Sequence, residues 1–277
     1  MHKQKNFFDI EANVLKKYNG HESEVNIPNT IKIIAKNAFA NCKELYKVIL
    51  PYSVAIIDDK AFFGCVNLTE ISISNAAYIG EKAFYGCNKL KAVSLPVGVK
   101  YLGENLFMNC DSLELVNIRS GPKAIPDGMF QFCRNLKLVT LPKTVIAIGD
   151  CAFKGCNQLK AIDISDSIKL IGRSAFEDCK NLKMMILPSH ITALGERLFC
   201  NCKRLETVDL PNNLKSISES MFSNCKSIKY IALPESIITI GDRAFMGCEI
   251  LREISIPSSV KNIGKDAFKG CDNITIS

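Results

Sequence analysis

The sequence predicts an α/β solenoid, with short parallel strands stacked on one face, single helical turns on the opposite face and one column of apolar side chains between them. Three observations carry this reading. Cysteines recur at 42, 65, 87, 110, 133, 156, 179, 202, 225, 248 and 271, nine of the ten intervals being 23 residues and one 22. A phenylalanine stands three positions before each, from Phe39 to Phe268, so that one rule places 11 of the 15 phenylalanines. Leucine or isoleucine stands three positions after each cysteine, and further aliphatics six and eight after, as in Val139 with Leu141 or Val208 with Leu210. A unit of this size cannot bury its apolar face alone, so successive units stack and share a core.

The elements follow in order along one unit. The alternation Leu136-x-x-Val139-x-Leu141 is a short strand with alternate residues inward. Pro142 ends it because proline lacks a backbone donor, and Pro51, Pro96, Pro188, Pro211, Pro234 and Pro257 hold the same place elsewhere. Val145-x-x-Ile148-Gly149 follows, and then the Ala152-Phe153 segment, read as a helical turn. Before the cysteine stands Gly, Asn or Asp in ten of eleven units, Phe132 being the exception; these types tolerate a left-handed helix end. Six positions before it, eight units carry an acid (Asp59, Glu81, Glu104, Asp127, Asp150, Glu196, Glu219 and Asp242), which suits the positive end of that helix. At about 4.8 Å per strand, ten coils make a sheet on the order of 50 Å long.

The phrase Cys-x-x-Leu-x-x-Ile-x-Leu-Pro-x-x-Val-x-x-Ile-Gly-x-x-Ala-Phe-x-Gly-Cys, nearly intact from Cys133 to Cys156 and from Cys225 to Cys248, resembles the BspA-like (Treponema pallidum type) leucine-rich repeats. The resemblance implies a right-handed leucine-rich-repeat solenoid with its parallel sheet on the concave face. It covers residues 25–277 as about eleven units, the last incomplete, and the segment from Phe8 to Gly20, within residues 1–24, looks like the N-terminal β-hairpin cap that often precedes such arrays. It further implies a ligand-binding scaffold without catalytic activity, frequently an adhesin that binds proteins or other cells.

Composition narrows the function. The 277 residues are 47% hydrophobic and 23% charged, so a packed core is expected and disorder is not. Histidines occur only at 2, 21 and 190, too scattered for a histidine-built metal or acid/base centre. None of the Gly-x-Ser-x-Gly, His-Glu-x-x-His, Gly-x-Gly-x-x-Gly or phosphate-loop patterns occurs, and an acidic row repeated through eight units has a structural cause rather than that of a glycosidase pair. No enzyme, cofactor or metal is expected. A net charge of +7 with 28 acids is mild, and the outward face has few aromatics, so nucleic acid is not expected either.

Residues 1–6 lead into Phe7-Phe8-Asp9-Ile10-Glu11 without the apolar run of a secretory signal, and no stretch reaches the roughly 20 apolar residues of a membrane helix. Membrane insertion is not expected. With 13 cysteines, most on the inward ladder as free thiols and small apolar filler, a reducing, cytoplasmic location is expected; cell-surface or secreted placement is the alternative if a leader had been removed. Cys151 and Cys200 lie off the ladder at places expected to be exposed, either reactive or incidental, and Cys200-Asn-Cys202 is a weak metal signal. The glycosylation triplets Asn67-Leu-Thr69 and Asn273-Ile-Thr275 are within chance.

What remains is the outer face of the strands. Residues five and seven after the cysteine point outward, and Leu115, Leu138, Asp163, Met184, Ile186, Asp209 and Tyr230 form the expected partner-binding strip. Four after the cysteine, Lys91, Lys137, Lys160, Lys183, Lys229 and Arg252 make a basic rim, with Arg134, Lys180, Lys203, Arg204 and Lys226 nearby. An apolar strip with a basic rim suits a protein partner of unknown identity. A solvated surface with incidental apolar residues is the competing reading, and a glycan-binding module, with Tyr230 as its sole aromatic platform, is the alternative function. The chain ends at Ser277 before a full strand and its proline, so a homodimer through this C-terminal edge, or continuation of the repeats, is a further expectation.

Overall fold

The computed structural model describes residues 7–272 and 274–277; the residues outside this set include His2, the rest of residues 1–6, and Asn273 of the second triplet. Among the described residues the chain is a parallel β-solenoid of about eleven coils that contains 22 short strands and no helix. The column opens with an antiparallel hairpin of β1 (Phe8–Glu11) and β2 (Val14–Tyr18). β2 also pairs in parallel with Ile33–Ile34, so the hairpin is covalently and by hydrogen bonding the first rung of the stack. Tyr18 lies flat on Phe39 at 5.0 Å between ring centroids and covers the end of the core.

Most coils contribute two strands rather than the one expected. The first ladder runs from Glu24–Asn26 through Leu115–Ile118 to Thr275–Ile276 and is the expected strand face, with Leu115 opposite Leu138 and Met184 opposite Thr207. The second is made of two-residue strands such as Ala147–Ile148 and Leu170–Ile171, paired in the same register. Because partners lie one repeat apart, like residues stack on like. The inner residues of both ladders join one core cluster with the phenylalanines. Phe39 to Phe268 form a continuous stack with ring centroids 5.0 to 6.0 Å apart.

The expected helical turns are not helices, so the α/β class is corrected to β. In the coil containing Phe153, the Lys154 and Cys156 amides donate within the turn to Cys151 O and Phe153 O at 3.1 Å, whereas the Cys151, Phe153 and Gly155 amides donate to Arg173, Ala175 and Glu177 of the next coil at 2.8 Å. An α-helix would keep every bond within itself, four residues back. The reason is two left-handed residues in every coil. One is the expected position before the cysteine, where even Phe132 has φ 60; the other lies four residues earlier and carries Lys60, Ser174 or Arg197, types that give no signal of it. The acidic row is corrected with the helix. Its aspartates accept the backbone amide of the next coil, Asp127 from Asp150 at 2.7 Å and Asp150 from Arg173 at 2.7 Å, and face no helix dipole.

The last described coil forms the short strand Thr275–Ile276 against Glu253–Ile254, where none was expected to be complete, and leaves Ile263 and Ile276 about half exposed.

Candidate docking face

The strand face presents the outward residues as the alternation requires. Leu115, Leu138, Met184, Ile186 and Tyr230 are 40, 53, 47, 58 and 61% exposed, while their neighbours Val116, Val139, Met185 and Ile231 are buried. Asp163 and Asp209 are exposed seven positions after their cysteines, on the far side of the apolar row from the rim. The ladder is interrupted twice along this strip. Residues 161–163, including Asp163, form no strand, and Tyr230 is held only by a single bridge to Glu253. Nothing in the sequence of these two coils explains the interruption. Tyr230 stands between two open clefts of about 450 and 760 Å³, the first bordered by Glu206, Lys229 and Ile250 and the second by Ile250, Arg252 and Glu253.

The rim is less uniform than the sequence suggests. Lys137, Lys160, Lys183, Lys229 and Arg252 are all exposed, but Lys137 reaches Glu114 at 2.8 Å and Arg134 reaches Asp111 at 2.6 Å, so these two cations are offset while Lys91 is not. Sequence reasoning also missed the N-terminal part of the same face. Tyr46, four after its cysteine, donates its hydroxyl to Glu70 at 3.2 Å and lines a cleft with Ile49 and Lys47. Tyr230 is therefore not the sole aromatic beside the strands. Large exposed apolar side chains such as Tyr101 and Leu170 also occur on the second ladder, which a one-strand reading of the unit leaves out.

The cysteines are all free. On the ladder each thiol donates to the carbonyl of the phenylalanine in the preceding coil, from Cys65 to Phe39 O at 3.0 Å to Cys271 to Phe245 O at 3.1 Å. That carbonyl already accepts its own turn's cysteine amide, so the thiol fills its second lone pair while packing as a small apolar group. Burial pushes the Cys65 and Cys110 thiols up to about 12. Cys200, expected to be exposed, is 3% exposed; its place in the coil matches that of Glu177 in the preceding coil and Ser223 in the next, both also buried. Burial raises Cys151 and Cys200 as well, the nearby Lys154 and Arg197 opposing it only in part, so neither is an activated thiolate. Under native conditions iodoacetamide is expected to label half-buried Cys42 and Cys151 while Cys200 and the deeper ladder react only after denaturation; mass spectrometry of the alkylated peptides checks this, and early labelling of Cys156 would contradict the burial.

His190 makes a structural contact. Its Nε2 lies 2.8 Å from Ile168 O, the same contact to the preceding coil that Ser167 makes with Val145 O and Ser236 with Leu214 O. The described residues hold no group of three or more His, Cys, Asp or Glu arranged for a metal ion, and no helix long and apolar enough to cross a membrane.

A rigid column of near-identical coils with a regular outer row defines a repeat scaffold. The chain belongs to the BspA type leucine rich repeat region family, whose profile matches residues 9–137, 123–251 and 215–277. It is similar to a leucine-rich repeat protein from Bacteroides ovatus at 29% identity over 94% of this chain and 80% of that one, with a TM-score of 0.69. It is similar also to a leucine rich cell surface protein from Faecalibacterium prausnitzii at 26% identity, over 100% and 94% of the two chains, with a TM-score of 0.55. The pneumococcal vaccine antigen PcpA, 19% identical over 96% of this chain and 85% of its own with a TM-score of 0.59, shares the fold. No curated protein matches the chain.

Proposed function

We propose that the protein is a non-catalytic scaffold that binds another protein through the strand face between Leu115 and Tyr230. The observation that supports this most directly is the row of large apolar side chains held outward on a ladder whose alternate residues are locked in the core. Such a row is fixed before binding, so little ordering entropy opposes association. An exposed Met or Tyr of this kind is the type of side chain that anchors interfaces, and the polar and charged residues beside it supply a rim. The cell-surface description of the Faecalibacterium relative supports an adhesive or interaction role. Burial of the thiol ladder makes the cysteine count a weak guide to compartment, since the folded ladder is shielded from oxidants as well as from metals. We therefore keep cytoplasmic and cell-surface placement as alternative proposals, separable by fractionation of the native host.

Met184→Asp and Tyr230→Ala are each expected to weaken partner capture by at least about tenfold, as loss of an interface anchor does. Both side chains are exposed, so thermal unfolding should shift little. The measurement is quantitative affinity capture with the wild type, both variants and a Leu170→Asp control on the second ladder. Equal capture by all four would place the partner elsewhere, and binding on a glycan array abolished by Tyr230→Ala would favour a carbohydrate ligand instead.

A further inference from the structure

Ion pairing is uneven among the cations of the described residues. On the turn side several are paired, Lys154 and Arg197 with Glu177, Arg173 with Glu196 and Arg243 with Glu219, while Lys36, Lys60 and Lys265 there form no ion pair among the described residues. In the early rim Arg134 is paired with Asp111 and Lys137 with Glu114, while Lys91 forms no ion pair among the described residues. From residue 160 onward unpaired cations predominate on the rim. Lys160, Lys180, Lys183, Lys203, Lys229 and Arg252 are all exposed, and none of them forms an ion pair among the described residues; Lys226, paired with Glu249, is the exception. The column holds these charges in register, with the Lys183 amide bonded to Lys160 O and the Arg252 amide to Lys229 O, both at 3.1 Å. Like charges whose backbones are held one or two strand spacings apart, about 5 to 10 Å, repel, and the splaying of their flexible side chains and Glu206 between Lys183 and Lys229 ease this only in part. An anionic partner relieves this.

The same stretch carries Met184, Ile186 and Tyr230, and the two clefts beside Tyr230 are bordered by Lys229 and Arg252. Across its width the face carries cations four positions after the cysteine in four of these five coils, with Glu206 in the fifth, Met184 and Tyr230 at five, and Asp163, Ile186 and Asp209 at seven. Glu206 and Glu253 also border the clefts. A uniform polyanion such as nucleic acid or a sulfated glycan would meet those carboxylates and leave the apolar row without a counterpart. A polypeptide can place carboxylates toward the rim and apolar side chains on Met184 and Tyr230.

Resting on the docking reading above, we infer that the occupant of this face is an acidic protein segment with interspersed apolar residues, seated between Lys160 and Arg252, and that the Leu115–Leu138 half is secondary. The test is selection of a random twelve-residue peptide library on the immobilised full chain, followed by affinity measurement of the enriched peptides. Enrichment of sequences combining Asp or Glu with Leu, Ile, Phe or Trp is expected. Their affinity should fall at least about tenfold in the variant Lys183→Glu/Lys229→Glu/Arg252→Glu and weaken as salt rises, because rim charges act through screened attraction. All three side chains are exposed, and circular dichroism with thermal unfolding of the variant shows whether its fold is kept. The inference is overturned if enriched peptides carry no acidic excess, if none is enriched, if their binding survives the charge reversal in a folded variant, or if heparin binds and displaces them completely. Peptides without acidic excess that still depend on Met184 would leave the docking face standing and remove only its charge preference.

Discussion

Phe153→Ala is expected to destabilise the protein by about 3–5 kcal/mol, the loss typical of removing a large ring from a core that cannot collapse around the gap. The Phe153 ring is fully buried between Phe130 and Phe176, each at 5.3 Å between centroids. Its neighbours cannot close the space, because their backbones are fixed one coil apart by the Phe130 amide to Ala152 O and the Phe153 amide to Ala175 O, both at 2.8 Å. The effect should also be local in a way that a globular core does not allow. Each coil contacts only its neighbours, so weakening one interface uncouples the column into two parts. Urea denaturation should show a lower midpoint with a less cooperative transition, and hydrogen exchange should rise first in the coils around residues 130–176. A change below about 1 kcal/mol, or protection lost evenly along the chain, would contradict the stacked-core account.

Glu177→Ala is the second large effect, about 2–3 kcal/mol, somewhat below the 3–5 kcal/mol of breaking a fully buried ion pair. The Glu177 carboxylate is 4% exposed and receives Arg197 Nη2 at 2.6 Å and Lys154 Nζ at 3.1 Å, while both cations still reach solvent. Removing the acid strands two partly desolvated positive charges side by side. Replacing Arg197 and Lys154 by Met in the same chain should restore part of the loss, since an apolar cluster of similar size carries no unpaired charge. Burial by itself would raise the Glu177 carboxyl, but hydrogen bonds from Arg197, Ser174 and Lys154 outweigh it and hold the carboxyl below its usual value. Its folded value thus lies below its unfolded one. The stabilisation is fully present above the ordinary carboxylate range and is lost as the pH falls through the lowered folded value. Thermal unfolding measured from neutral to acid pH should show this part of the slope in the wild type and not in Glu177→Ala; identical slopes would remove the ion cluster as its source.

Much of this molecule is legible in the spacing of two residue types. Phenylalanine and cysteine at fixed places announce the coil, and Val116, Val139 and Met185 fall inward while Leu115, Leu138 and Met184 fall outward, as a period of two requires. The exposed positions of the strip follow from the same rule. The burial of Cys200 was not legible, because its place is covered only once the coils stack, where Glu177 and Ser223, 23 positions to either side, are buried with it. The rim shows the same limit. Lys137 and Lys160 occupy equivalent places in the repeat, yet only Lys137 has an acid at the matching position of the preceding coil, Glu114, so one is neutralised and the other is free to act.

By itself the sequence determined the repeat, the direction of each side chain relative to the core and the family to which the chain belongs, because all three depend only on position within the 23-residue period. The tertiary structure alone decided that the Ala-Phe segments are turns and not helices, that the aspartates of the acidic row cap the next coil, and which cations are left unpaired. The physical reason is that the bonds responsible, such as the Phe153 amide to Ala175 O, join residues about one repeat apart in sequence but one strand spacing apart in space. A local pattern contains no information about them until the coils have been laid one on another.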